Sequence, residues 1–185
     1  MKTVGKKWVV ETLTRSEVED LLNSCNGGAT GSRNRAIITL IYRTGLRISE
    51  ALNLRPTDID SNKLTVVRGK GGKRRVVGLD SWSIAALNAW KPLQPRSKWL
   101  FCTLDGNQVS SAYMRNLLRR LKKKCGFIKR IHPHGLRHSF ASDAAMDLPL
   151  PVLSAAIGHS HISTTERYIH QLNPRVVVEA MAKRS

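Results

Sequence analysis

Long apolar runs are missing from this chain of 185 residues. The longest, AIITLIY at Ala36–Tyr42, falls far short of the roughly 20 residues a membrane helix needs. The N-terminal stretch has neither a sustained apolar segment nor a cleavage-like site of the kind that marks a secretory leader, so no membrane partner is expected. Cysteine is scarce: three residues, Cys25, Cys102 and Cys125, an odd number at scattered spacings. That excludes a disulfide framework and fits a reducing, cytoplasmic interior. Aromatic residues make up only 5%, too few for the stacking platforms of a single-strand binder. Acidic residues are in short supply too, 13 against 31 Lys and Arg. The resulting net charge of +18 favours a polyanionic partner, because each neutralised phosphate releases counterions.

Several chemical signatures are also lacking. GKGGK at Gly69–Lys73 does not match the GxxxxGK[ST] phosphate loop. Asp58 and Asp60 imitate the start of a calcium loop without its glycine and distal glutamate, and read as turn and strand-entry residues. There is no G-x-S-x-G elbow, so Ser139, Ser142 and Ser160 lack the setting of a serine hydrolase. No metal and no cofactor are expected.

What is present reads as one mainly α-helical unit with a small antiparallel sheet, an α+β fold. Thr14-x-x-Glu17 is a capping box that opens a helix running to about Cys25. Further helices are expected over Ser32–Thr44, stopped by Gly45, over RISEALNL, and at Ser81–Lys91, Ser110–Cys125, His134–Met146, Pro151–Ile157, Ser163–Ile169 and Val176–Lys183. KLTVVRGKGGKRRVVGL alternates about a glycine-rich turn and predicts a β-hairpin. Basic residues cluster on two of these elements. The hairpin holds Arg68, Lys70, Lys73, Arg74 and Arg75; the helix after Ser110 holds Arg115, Arg119, Arg120, Lys122 and Lys123. These are expected to meet DNA phosphates, a role without sequence information.

Two readings compete for HPHGLRH. His132, His134 and His138 could ligate zinc, the last two at i and i+4. Against this, no carboxylate or thiolate joins them locally, and Arg137 adds a fixed positive charge. The alternative is attack on a phosphodiester, whose transition state gathers negative charge on non-bridging oxygens and calls for converging cationic donors. Arginine suits that task, being a planar fork that never deprotonates. His134 and Arg137 lie three apart on a helix, and burial of Leu136, Phe140 and Ala144 would aim them outward. Arg47 follows the Gly45 break, with Glu50 one turn on and able to orient it.

The blocks TGLRISEALNL, GKGGKRRVV, HPHGLRHSFAS and IGHSHISTTERYIH, in that order, resemble the signature blocks of tyrosine recombinases, the phage-integrase and Xer-type family. Each block alone is weakly specific; four in order are very specific. The resemblance implies a site-specific recombinase or integrase catalytic domain. It would cut and rejoin double-stranded DNA through a 3′-phosphotyrosyl intermediate, acting as a homotetramer on paired sites, in a prokaryotic or mobile-element setting near the nucleoid. It implies that Arg47 and Arg137 clamp the scissile phosphate, and that His134 assists by proton transfer or hydrogen bonding. His159 would donate to a non-bridging oxygen, Lys70 would protonate the leaving 5′ oxygen, Glu50 would support the arginines, and Tyr168 would be the nucleophile. It further implies residues 1–12 as an extension, 13–172 as the catalytic domain, and 173–185 as a tail helix exchanged between protomers or packed on its own core. The separate N-terminal clamp domain of the family is expected to be absent.

Among the three tyrosines, Tyr42 sits in an apolar helix and Tyr113 has no basic or histidine neighbour in its block. Tyr168 follows Ser163-Thr164-Thr165-Glu166, another capping box. With an ordinary pKa near 10, about one phenol in a thousand is ionised at pH 7, so an attacking tyrosine needs cations beside it. Two other classes remain: a type IB topoisomerase, told apart by sequence-independent relaxation of supercoils, and a non-catalytic zinc-bearing DNA-binding protein, told apart by metal content.

Overall fold

Seven α-helices and one three-stranded antiparallel sheet make up the described part of the protein, a computed structural model that describes residues 11–67 and 74–158. The helices expected over 163–169 and 176–183, the hairpin turn and the tail lie outside those residues.

Helix α1 (Arg15–Asn23) opens as its sequence dictates: Thr14 Oγ1 accepts the Glu17 N–H, and the Glu17 carboxylate accepts the Thr14 N–H. Helix α2 (Gly28–Thr44) starts one turn before the expected Ser32. The break falls at Asn26-Gly27; Gly28 turns the chain in the left-handed region at φ 70°, and nothing in Ala29–Gly31 forbids helix after it. Its apolar run Ala36–Tyr42 is buried along its whole length, which makes α2 the central pillar, with α4 and α6 packed against it. Helix α3 (Ile48–Leu52) follows the Gly45 stop. Helix α4 (Ser81–Trp90), capped by Asp80, brings in Trp90, fully buried with its indole N–H on the Leu100 carbonyl at 2.8 Å.

The hairpin appears as β2 (Lys63–Val67) and β3 (Arg74–Gly78), with Leu64 opposite Val77 and Val66 opposite Arg75. A short β1 (Ile59–Asp60) adds a third strand where the sequence predicts turn and strand-entry residues. Helix α5 (Ser111–Lys124), capped by Ser110, buries Met114, Leu117, Leu118 and Leu121 and turns its basic face to solvent. Lys122, Lys123 and Lys124 in its last turn complement the helix dipole. Helix α6 (Pro133–Asp147) and helix α7 (Leu150–Ile157) close the described part.

Residues on both sides of the expected boundary after residue 12 make contacts with the segment before α6 or with α6 itself. Lys129 donates to the Thr12 carbonyl at 3.1 Å, and the Arg130 N–H donates to Glu11 at 3.0 Å. Leu13 is buried, with its N–H on Ser139 Oγ at 2.7 Å. Glu11 and Thr12 therefore belong to the folded unit.

Candidate active site

Gly45 sets the site's geometry. It caps α2 in the left-handed region at φ 64°, where a side chain is strained. A Cβ there would also run into the Phe140 ring on α6 and the Ile157 side chain on α7. Two residues later Arg47 is the N-cap of α3, and Glu50 occupies N3. The Arg47 N–H donates to Glu50 Oε2 at 2.8 Å and its guanidinium to Oε1 at 2.9 Å. Glu50 thus holds both the backbone and the guanidinium of Arg47.

Glu50 serves more than Arg47. Arg75 forks onto it, Nη1 to Oε1 at 3.0 Å and Nη2 to Oε2 at 2.8 Å, while Arg137 Nη1 lies 3.9 Å from Oε2. Burial alone would raise the Glu50 carboxyl, whose side chain is 7% exposed. The hydrogen bonds from Arg75 and the Arg47 N–H, with the charge of Arg75, prevail and hold it at about 2. Among the described residues, three guanidiniums gather around this one carboxylate.

Arg75 and Arg137 also grip α7. Arg75 Nε donates to the Ala156 carbonyl at 2.8 Å; Arg137 donates to the Gly45 carbonyl at 2.5 Å and the Ile157 carbonyl at 2.6 Å. The last carbonyls of a helix lack partners within it, and here two cations fill that need, with the favourable sign for a helix C-terminus. Two sequence expectations change as a result. Arg75 was grouped with the phosphate-facing hairpin residues, but it shares the inward pleat with Val77 and opposes Val66. Its guanidinium is spent on Glu50 and Ala156. Arg137 was expected to point outward with His134; its side chain is 4% exposed, because the last turn of α7 and the Gly45 carbonyl draw it inward. Arg47, at 41% exposed, is the guanidinium of the three that opens to solvent.

The histidines divide. His132 caps α6, its Nδ1 accepting the Gly135 N–H at 3.1 Å. His134 is exposed and lies Nε2 to Nε2 with His138 at 2.7 Å. Two nitrogens on one tetrahedral zinc would stand farther apart, roughly 3.3 Å from bond lengths near 2 Å, so as placed the pair is hydrogen-bonded rather than splayed for a metal. Partial burial and the charges of Arg137, His132 and Arg47 push the His134 imidazole below its ordinary value.

Arg74 is exposed at the start of β3, and Arg115, Arg119, Arg120 and Lys123 are exposed on α5. Lys122 is half-buried and donates to the Ile128 carbonyl at 2.8 Å. Arg68, Lys70, Lys73, His159 and Tyr168 lie outside the described residues. The sequence reading missed a buried node between α2 and α5. Arg33, 4% exposed, donates to the Cys102 carbonyl, to Asn34 Oδ1 and to the Tyr113 hydroxyl at 3.0–3.3 Å. Its guanidinium also sits over the Tyr113 ring at 5.2 Å. Tyr113 thus has a basic partner after all, from 80 residues away. Tyr42 is core as expected, and its hydroxyl donates to Asp143.

Comparison with known proteins follows the same outline. Residues 11–175 match the phage integrase family. A tyrosine recombinase XerC of Xanthomonas campestris pv. campestris (strain B100) is 37% identical over 167 residues, covering 86% of this chain and 51% of that one. A XerC of Lactobacillus leichmannii is 33% identical over 177 residues, covering 90% and 60%. The chain therefore spans little more than half the length of these curated relatives. Among solved structures, the XerA recombinase superposes with a TM-score of 0.80 at 27% identity, covering 95% of this chain and 65% of that one. The XerH site-specific recombinase bound to a palindromic difH substrate, a post-cleavage complex, gives 0.75 at 30% identity, covering 91% and 52%. No helix among the described residues is long and apolar enough to cross a membrane.

Proposed function

Because the chain belongs to the phage integrase family, we propose that it carries the catalytic unit of a site-specific tyrosine recombinase, which cuts and rejoins double-stranded DNA. In this reading the Tyr168 hydroxyl releases its proton to solvent, its oxygen attacks the scissile phosphorus and the bond to the 5′ oxygen breaks. Lys70 supplies the proton that the leaving oxygen takes up. A 3′-phosphotyrosyl ester remains, holding the energy of the broken phosphodiester, so that a 5′ hydroxyl can reverse the step and rejoin a strand. Charge on the non-bridging oxygens rises during attack, and Arg47, Arg137, His134 and His159 are the groups proposed to meet it.

The observation that carries this reading is the Glu50 cluster. Its guanidiniums are held by Glu50 before any ligand arrives, so they need little reorganisation to stabilise an anionic transition state. Glu50 holds the cluster together without cancelling it. The XerH protein captured on its difH substrate supports duplex DNA as the partner. The exposed arginines and lysines of α5 would meet phosphates beside the cut. Assembly as a homotetramer on paired sites, and a tail helix at 173–185 exchanged between protomers, belong to the same proposal.

Incubation with nicked suicide duplexes, followed by a denaturing gel, tests the chemistry. The wild-type chain should form a covalent protein–DNA adduct, and Tyr168→Phe should form none while binding DNA as before. An adduct in the phenylalanine variant would remove Tyr168 as nucleophile. Relaxation of supercoils without any site preference would favour the topoisomerase reading instead.

A further inference from the structure

Arg75 sits beside the residues proposed to meet the phosphate without being one of them. It enters from β3, on the pleat that faces inward with Val77. Its side chain is 12% exposed, and its guanidinium is bonded on two sides. Nη1 and Nη2 donate to the two oxygens of Glu50 at 3.0 and 2.8 Å, and Nε donates to the Ala156 carbonyl at 2.8 Å. Three bonds from one rigid plane fix the orientation of that plane.

The consequence falls on Arg47. Its N–H and its guanidinium both donate to Glu50, three residues on. A bond between neighbours on one helical turn fixes the two to each other, but not to the rest of the fold. Glu50 has three rotatable side-chain bonds, so the carboxylate needs a reference from outside α3. Arg137 Nη1 stays 3.9 Å from Oε2, a contact of charge rather than a directed bond. The fork from Arg75 supplies the direction. Bound to both oxygens, it sets the plane of the carboxylate, and with it the place of the oxygen to which the Arg47 guanidinium donates. The bond to Ala156 in turn anchors the fork to the last turn of α7, a separate element from α3 and β3.

We propose that Arg75 is a positioning residue for DNA cleavage: through Glu50 it holds the Arg47 guanidinium where the scissile phosphate arrives. The inference rests on the recombinase reading. Arg75 turns to Glu50 and away from DNA, whereas its neighbour Arg74, on the outward pleat, is exposed. A positioning residue shows itself in rate and not in affinity, because a shift of about 1 Å in a reacting group costs on the order of a hundredfold.

The test joins binding, cleavage and amide exchange on the full chain. Arg75→Ala should slow cutting of a suicide duplex at saturating DNA by about ten- to a hundredfold per folded molecule. Its Kd for duplex DNA, and the slope of binding against salt, should stay as in wild type. Arg74→Ala should instead weaken binding and make that slope shallower by roughly one. Because Arg75 acts through Arg47, adding Arg75→Ala to Arg47→Ala should cost nothing further, where independent losses would multiply. The Arg47 amide, which donates to Glu50 Oε2, should exchange its hydrogen several-fold faster in Arg75→Ala, read by NMR. Arg75→Lys keeps the charge but not the fork; it should fold, recover only part of the rate and leave the Arg47 amide faster than in wild type. Its readings decide the matter if the alanine variant does not fold. A wild-type rate in the lysine variant overturns the inference, as does a loss in Arg75→Ala that lies in Kd alone or that multiplies with Arg47→Ala. A wild-type chain that cuts no duplex would sink the recombinase reading. Arg47 amide exchange would still show whether Arg75 holds that residue: faster exchange upholds the linkage, and unmoved exchange overturns it.

Discussion

Two arginine nodes lie inside this protein, and they differ in a way that burial alone does not reveal. Arg33 and Arg137 are almost equally buried, at 4% and 3%. Around Arg33 the partners are neutral: a backbone carbonyl, an asparagine amide, a tyrosine hydroxyl and the face of its ring. They fasten α2 to α5 and to the segment around Cys102, and the node is closed. Around Arg137 the charges are crowded and unequal, three guanidiniums to one carboxylate, and one of the three, Arg47, opens to solvent. A buried arginine among neutral acceptors is a fastener. Cationic excess with one open member is what a phosphate needs.

The sharpest way to break that distinction is to exchange the symptoms. Arg47→Ala should slow adduct formation on the order of a hundred- to a thousandfold, the cost of losing one preorganised donor. Its unfolding midpoint in urea should barely move, since Arg47 is the exposed member of its cluster. Arg33→Met should do the reverse. It leaves the buried Cys102 carbonyl without the Arg33 donor, so stability should drop by about 2–3 kcal/mol, while cleavage per folded molecule holds. Matching losses of rate in the two variants would show that the nodes are not different in kind.

A smaller effect sharpens the closed node. Tyr113→Phe removes only the hydroxyl that Arg33 and Asn34 address and keeps the ring under the guanidinium. It should cost about 1 kcal/mol in denaturant unfolding and nothing in cleavage. A last test lies in the pH dependence of stability on the acid side. Glu50 titrates at about 2 in the folded chain against an ordinary 4.5, so the folded state binds that proton more weakly than the unfolded state. Its contribution to stability is complete above 4.5 and disappears as the pH falls from there toward about 2. Arg33→Met should keep that acid-limb slope in a pH series of urea midpoints, whereas Glu50→Gln should flatten it. An unchanged slope in the glutamine variant would mean that the carboxylate is not held as the geometry indicates.

Local signals carried much of this into the sequence. The capping box at Thr14, the Glu50 bond to the Arg47 N–H, the serine cap of α5 and the glycine stop of α2 each depend on residues within four positions, and each forms. The Arg47–Glu50 bond was legible for the same reason. Arg75 was not, because five neighbouring cations invite a single surface reading, although its parity with Val77 and Leu79 places it on the inward pleat. The Arg33 node was harder still: its partners at Cys102 and Tyr113 lie 69 and 80 residues away, and no local pattern announces them. The inward turn of Arg137 depends on carbonyls at Gly45 and Ile157, which only the packed fold brings together.

Gly45 also bears on how such a protein can be altered. Its Cα lies against Phe140 and Ile157, on two different helices, in a conformation other residues adopt at a penalty. Smaller side chains at 140 and 157 would make room for a Cβ but would not relieve the backbone. The chain can therefore not drift to another residue at 45 by repacking one neighbour at a time. A combinatorial library built around Arg47 to change cutting behaviour should return active clones only where glycine persists at 45, with 140 and 157 varying as a linked pair.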